Sequence, residues 1–294
     1  MNRCFLLFLS MAFSMDLPAA EPSSPEKIAD LEYAIVDGRS LKLDLYLPPP
    51  AEKASPLIVW VHGGAWRAGS KADMPLGELV AQGYAVASVD YRLTTIAPFP
   101  ALIHDIKGAI RFLRSQAEKY RLDPERFAVA GSSAGGHLAA LVGVTNGHAE
   151  LEGKVGGHGD QSSRVSAIIS LFGASNLRTI LAQSTPHGLK VRIPALQLLL
   201  GGQPEEQGEL AKLASPVEHV DEHDPPLLLI HGDQDPQMPI NQSHELYGRY
   251  QALGLTATFE VVYNSAHGGP AFYDERRMKL LRAFLDLHLR RESE

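Results

Sequence analysis

The chain has 294 residues, 45% of them hydrophobic and 21% charged, which is enough apolar material for one large globular domain with an ample core. Its formal net charge is -7 and no basic cluster stands out, which argues against nucleic acid and anionic membrane surfaces as partners. The single cysteine, Cys4, leaves the rest of the chain without a disulfide, a thiol nucleophile or a cysteine-based metal site.

The N-terminus differs in kind from the rest of the chain. Asn2 and Arg3 precede an apolar run over residues 4–13, and Ser14 or Pro18-Ala19-Ala20 offers a cleavage site. This is the pattern of a secretory signal peptide over residues 1–20, whose apolar run is too short to span a bilayer. A secreted or periplasmic protein with no membrane association after cleavage is therefore expected. Residues 21–30, rich in Pro and Ser, read as a loose lead-in to a catalytic domain over residues 31–292.

Residues 31–36 and 41–47 alternate like strands around the turn Asp37-Gly38-Arg39. Residues 57–61 form a continuous apolar run, as expected of a strand covered on both faces. A helix over 76–82, closed by Gly83, leads to a buried strand over 84–89. Ile103, Ile106, Ile110 and Leu113 recur at helical spacing and predict a helix over 105–119. Residues 127–130 are a short apolar strand, followed by a turn and a small-residue helix over 136–142. Further strands are predicted over 166–171, 227–230 and 256–262, with helices over 242–253 and 275–289. Strands alternating with helices place the chain in the α/β class, with a mainly parallel, doubly wound sheet and helices on both faces.

Two stretches break this rhythm. Residues 146–164, rich in Gly, His and charge, are expected to form a mobile surface loop. Residues 174–216 hold short predicted helices over 194–200 and 205–213 with no strand between them. They read as a small helical insertion able to cover a site.

The chemistry centres on Gly131-Ser132-Ser133-Ala134-Gly135. Strand, tight turn and helix around G-x-S-x-G is the setting in which the central serine is a nucleophile. Gly131 and Gly135 stand where strand and helix approach too closely for a Cβ. The following helix directs its N-terminal N–H groups at the site. A serine hydroxyl needs a base, and the base needs an orienting acid, here in the chain order Ser, acid, His. After the strand over 227–230 come Asp233 and Asp235. Asp235, on the outer part of the turn, is favoured as the acid, and Asp233 is expected to bond backbone groups within the turn. After the strand over 256–262 comes His267, in a Gly-flanked loop suited to a general base. His62-Gly63-Gly64-Ala65-Trp66 follows the strand over 57–61 and supplies oxyanion donors from Gly64 and Ala65, beside the N–H of Ala134. Trp66 and Phe99 either line an acyl or sugar subsite or pack in the core. His62 and His137 are expected to bond neighbouring backbone, and Asp90 and Arg92 to form a structural pair. The spacing of His148, His158 and His187 does not suit a metal site, and neither a metal nor a cofactor is expected.

These residues resemble those of the α/β-hydrolase esterases, most closely the hormone-sensitive-lipase-like and bifunctional feruloyl/acetyl-xylan (BD-FAE-like) groups. The resemblance is carried by Leu43-Asp44-Leu45-Tyr46-Leu47-Pro48, His62-Gly63-Gly64-Ala65-Trp66, Asp90-Tyr91-Arg92 and Phe99-Pro100. It continues through residues 131–138, Ala214-Ser215-Pro216, His231-Gly232-x-x-Asp235 and His267-Gly268-Gly269. It implies a catalytic triad of Ser133, Asp235 and His267. Three positions depart from the pattern: Ala65 replaces a third glycine, Met238 a usual valine, and Asn176 a frequent aspartate. The implied activity is cofactor-free hydrolysis of small-molecule or carbohydrate esters, such as acetyl or feruloyl groups on plant polysaccharide. An oligopeptidase-type serine peptidase and a catalytically silent binding protein are the alternatives, and the sequence sets no oligomeric state.

Overall fold

The structure, a computed structural model, describes residues 24–290. The expected signal peptide lies outside the described residues. Eight strands form one sheet in the order β1-β2-β4-β3-β5-β6-β7-β8 among the described residues. In chain order these are β1 (Glu26–Val36), β2 (Arg39–Leu47), β3 (Ser55–Val61), β4 (Ala85–Val89), β5 (Leu122–Ser132), β6 (Ala167–Leu171), β7 (Leu227–Gly232) and β8 (Ala257–Val262). The pairs β1/β2 and β2/β4 are antiparallel, and from β4 onward every neighbouring pair is parallel. Within the parallel part the crossovers carry α1 (Gly77–Ala81), α2 (Ala101–Ser115), α3 (Ala134–Gly143) and α8 (Asn241–Ala252), and α9 (Glu275–Leu289) follows the last strand.

The continuous apolar runs are explained by burial on two sides. In β3, Leu57, Val59 and Val61 enter the core packed by α2 and α3, while Ile58 and Trp60 enter the one packed by α1 and α9. In β5, Phe127 and Val129 divide from Ala128 and Ala130 in the same way. Side chains alternate across a pleated strand, so a strand with helices on both faces must be apolar at every position.

Three local expectations need correction. β1 starts at Glu26, inside the stretch read as a loose lead-in, and pairs Glu26 with Leu47 and Lys27 with Tyr46. Its first residues are mostly exposed, so no apolar period announces it. The long helix α2 starts four residues before the predicted boundary, directly after Pro100. The 146–164 stretch contains α4 (Ala149–Glu152) and is tied down. Glu152 pairs with Lys107 at 2.6 Å and Arg111 at 3.1 Å, accepts from Ser163 Oγ, and so anchors the stretch to α2. Arg114 also donates to the carbonyls of Ser162 and Arg164.

The insertion between β6 and β7 carries α5 (Ile180–Gln183), α6 (Pro186–Leu200) and α7 (Gly208–Leu213). The helix predicted from Pro194 begins eight residues earlier. Thr185 caps it by accepting from Gly188 N at 3.0 Å, Pro186 occupies the first turn, and Gly201 ends it in the left-handed region at φ 74°. Pro194 lies inside the helix, where it lacks the N–H for one internal bond. Asn176 Nδ2 bonds Glu245 Oε2 at 2.6 Å, which ties the insertion to α8.

Candidate active site

Ser133 sits between β5 and α3 at φ 55° and ψ -119°, a left-handed conformation costly for a side-chain-bearing residue. The turn persists because the chain around it admits no alternative. A Cβ on Gly135 would lie 2.0 Å from the carbonyl oxygen of Val61, and one on Gly131 would lie 2.3 Å from that of Gly135. The backbone N–H of Ser133 donates to Leu171 O at 2.9 Å, fixing the turn to the end of β6.

His267 joins Ser133 to Asp235. Its Nε2 lies 2.8 Å from Ser133 Oγ, and its Nδ1 lies 2.6 Å from Asp235 Oδ2. The loops that carry the acid and the imidazole meet because β7 ends on Gly232, where a Cβ would fall 2.2 Å from Ser265 O. The edge of the Phe172 ring packs against the His267 imidazole with centroids 4.8 Å apart. Phe172 follows β6 at φ 40°.

Asp235 is held on all sides. Its Oδ1 accepts the N–H groups of Gln237 at 2.8 Å and Met238 at 2.9 Å. Its Oδ2 takes His267 and also faces Nε2 of the fully buried His231 at 3.3 Å. Burial opposes its ionisation, but the hydrogen bonds from His231, His267 and Met238 outweigh burial and hold the carboxyl well below its usual range. It therefore stays charged. Sequence reasoning assigns His231 no role; its place four residues before the acid is the signal that could have found it. Its Nδ1 bonds Ser243 Oγ at 2.7 Å, and its Nε2 bonds Met238 O at 3.0 Å.

The turn-bonding role expected of Asp233 belongs to Asp235. Asp233 Oδ1 is buried and has no hydrogen-bond partner. Met238, one of the departures from the family pattern, buries its side chain completely and gives its backbone N–H to the acid.

Gly63 brings the second loop against the serine, since a Cβ there would lie 3.3 Å from Ser133 Cβ. Gly64, Ala65 and Trp66 all have positive φ (110°, 52° and 61°), so this segment turns away from strand geometry at once. The carbonyl of Gly64 accepts from Arg67 and Ala68, and the N–H groups of Gly64, Ala65 and Ala134 have no acceptor among the described residues. These three donors lie on the two segments that meet at Ser133, the loop after Gly63 and the start of α3.

Trp66 and Phe99 resolve towards packing. Trp66 has no accessible surface, and its indole N–H donates to His137 Nδ1 at 3.1 Å. Phe99 is buried in the same core, and its backbone N–H bonds Leu199 O in α6. His137 Nε2 in turn donates to Ala214 O at 2.7 Å, and His62 Nδ1 donates to Gly63 O at 2.8 Å. The expected Asp90–Arg92 pair is absent. Arg92 instead grips Asp105 at 2.7 Å, and Asp90 accepts the backbone N–H of Lys71. Asp105, on α2, also accepts the backbone N–H of Arg92 at 2.9 Å.

Among the described residues no group of three His, Cys, Asp or Glu side chains is placed to hold a metal ion. No helix among them is long and apolar enough to cross a membrane.

A mostly parallel, doubly wound sheet with a strained serine at the strand-to-helix turn, its neighbours delivered by later strand ends, defines an α/β-hydrolase. The chain belongs to the BD-FAE family, whose model matches residues 43–250. It is similar to the esterase LipC of Mycobacterium tuberculosis, with 32% identity over 204 residues, covering 68% of this chain and 49% of the relative. The chain spans about half the length of the curated relatives it matches. Among solved structures, a truncated carbohydrate esterase from gut microbiota superposes with a TM-score of 0.83 at 33% identity, covering 92% of this chain and 99% of that one. A bifunctional GH43-CE protein of Bacteroides eggerthii gives 0.81 at 34% identity, over 90% of this chain and 35% of that one.

Proposed function

We propose that this protein is a secreted serine carboxylesterase acting on short acyl or aromatic esters through an acyl-enzyme. The observation that carries the reading is the unbroken chain from Ser133 Oγ through the His267 imidazole to the ionised Asp235. Ser133 Oγ attacks the ester carbonyl as His267 Nε2 takes its proton. Asp235 keeps the proton of His267 on Nδ1 and stabilises the imidazolium that forms. The carbonyl oxygen, negative in the tetrahedral intermediate, is met by the N–H groups of Gly64, Ala65 and Ala134, each worth about a hundred- to a thousandfold in rate. His267 then protonates the leaving alcohol, the acyl group remains on Ser133, and a water activated by the same imidazole releases it.

Family membership and the carbohydrate esterases among the structural neighbours support acetyl or feruloyl groups on plant polysaccharide as the esters. The test is a panel of p-nitrophenyl acetate, methyl ferulate, acetylated xylan and an aminoacyl anilide, run with wild type and Ser133→Ala. Turnover of the esters that disappears in the variant is expected. Turnover of the anilide alone would make the protein a peptidase, and a folded protein with no turnover at all would make it a binding protein. Export is proposed from the first twenty residues, and cell fractionation with N-terminal sequencing of the mature chain tests it.

A further inference from the structure

Arg192 is the one buried Lys or Arg among the described residues without a salt-bridge partner. Its side chain is 1% exposed, and its Nε and Nη1 are buried with no acceptor. The other buried cations, Lys107 and Arg111, both pair with Glu152. An unpaired buried charge is strongly destabilising, so a fold that keeps one needs a reason. Burial pushes this guanidinium down to about 10, which still leaves it charged at neutral pH.

Its position supplies the reason. α6 lies against the acid loop, where Thr185 Oγ1 donates to Pro236 O at 2.6 Å and a Cβ on Gly188 would lie 3.0 Å from the same carbonyl. Arg192 follows Gly188 by four residues and so shares its face of the helix. Its guanidinium carbon reaches 5.7 Å from the centre of the Trp66 ring, and Trp66 follows Ala65 in the oxyanion loop. The charge therefore stands between the two loops that flank the reaction centre. The carboxylate of Asp235 favours the charged form of Arg192 through space, but its oxygens are taken by Gln237, Met238, His267 and His231, and no bond from Arg192 Nε or Nη1 to it is formed.

We propose that Arg192 is a substrate-recognition residue that binds a carboxylate carried by the ester, so that esters bearing a carboxylate are preferred over neutral ones. A planar guanidinium fork matches a planar carboxylate, and the Nε and Nη1 hydrogens of Arg192 have no acceptor within the protein. The carboxylate can belong to the acyl group, as in a half-ester of a dicarboxylic acid, or to the alcohol, as in an acylated uronic acid. This inference rests on the esterase reading of Ser133.

The test compares kcat/KM within two pairs of esters. Mono-4-nitrophenyl succinate against 4-nitrophenyl acetate probes the acyl side, and acetylated glucuronic acid against acetylated glucose probes the alcohol side. Arg192→Met keeps an apolar stem in the core and removes the charge. In at least one pair, the anionic-to-neutral ratio should fall roughly ten- to a hundredfold in this variant, the span of a charged hydrogen bond. Arg192→Lys, which keeps the charge without the fork, should fall between, and it carries the test if the Met variant does not fold. A ratio that stays at the wild-type value in both pairs overturns the proposal.

A second measurement needs no turnover. Succinate or glucuronate should raise the thermal midpoint of Ser133→Ala, and the rise should vanish when Arg192→Met is added. If wild type hydrolyses no ester, the esterase reading falls, and the midpoint shift alone decides for or against a carboxylate site at Arg192.

Discussion

Asparagine at position 235 is the sharpest test of the site. Gln237 N and Met238 N, at 2.8 and 2.9 Å from Oδ1, demand an acceptor, so the amide oxygen of Asn takes that place. Its NH2 group must then face His267 Nδ1, where Asp235 Oδ2 now stands at 2.6 Å. A donor there turns Nδ1 into an acceptor and moves the ring proton to Nε2. That nitrogen now faces Ser133 Oγ at 2.8 Å and can no longer take its proton. The same NH2 meets the Nε2–H of His231, so the substitution also sets two donors against each other. Loss of the imidazolium's counter-charge adds to the wrong tautomer, and the expected fall in kcat is about ten-thousandfold, or about 5 kcal/mol of barrier. The assay is kcat on p-nitrophenyl acetate at neutral pH, with circular dichroism to confirm the fold. Asp233→Asn is the control, since the Asp233 carboxyl touches neither histidine; its kcat should stay in the wild-type range. Asp235→Asn retaining more than about a tenth of kcat, or Asp233→Asn losing as much as Asp235→Asn, would refute the assignment of the acid.

Gly135→Ala places a Cβ 2.0 Å from Val61 O and 2.5 Å from His62 O, both backbone atoms that cannot step aside, so urea unfolding should show a loss of about 2–3 kcal/mol together with lowered kcat. His137 is held down to about 4 by burial, against 6.5 when unfolded, so the unfolded chain binds its proton first and stability falls as pH drops from 6.5 to about 4. The stability gap between wild type and His137→Gln should narrow by about 3 kcal/mol across that window; a gap that stays constant with pH contradicts the assignment. Asp224 behaves with the opposite sign, because burial raises its carboxyl from 3.8 to about 7 and the folded state keeps a proton that the unfolded chain releases. Its contribution to stability should therefore fall as pH rises from about 4 to about 7, and Asp224→Asn should flatten that part of the profile in denaturant titrations at stepped pH.

The fold is readable where burial imposes a period. Strands enclosed on both faces are apolar throughout, and α9 keeps its predicted bounds because its apolar stripe runs from Met278 to Leu289 and Asp274 caps its start. Reading fails where stabilisation comes from partners far away in the chain. β1 is held by pairing with β2 through residues that are largely exposed, so nothing in its first half marks it as a strand. The 146–164 stretch looks mobile from its Gly and charge content, yet its Glu152 is the counter-charge of two cations on α2. Spacing cannot show that ion pair, because its members lie more than forty residues apart.

The site divides in the same way. Gly131, Ser133 and Gly135 stand close in sequence, and their meaning follows from one local turn. Asp235 is separable from Asp233 by its place on the outer part of the turn, but the reason it stays charged is hidden from the sequence. That reason is the set of donors the loop gathers around the carboxyl: His231, four residues back at the end of β7, together with His267 and the N–H of Met238. Trp66 illustrates the converse. An aromatic residue beside an oxyanion loop suggests a substrate wall, whereas its indole N–H needs a buried acceptor and finds it in His137, whose other nitrogen reaches Ala214.

Those two bonds make Trp66, His137 and Ala214 a single strut from the oxyanion loop through α3 to the end of the insertion. The oxyanion loop itself runs through three consecutive positive-φ residues, a conformation that has to be imposed from outside. Trp66 is the last of the three, and its ring is fixed at both the N–H and the face, the latter beneath Arg192. The insertion thus has two tasks that pull on the same residues: it holds the oxyanion loop in a strained shape, and it brings a charge to the edge of the reaction centre. Substitutions in α6 should accordingly alter substrate preference and the rate on simple esters together, whereas substitutions in α9, on the far face of the sheet, should act through stability alone.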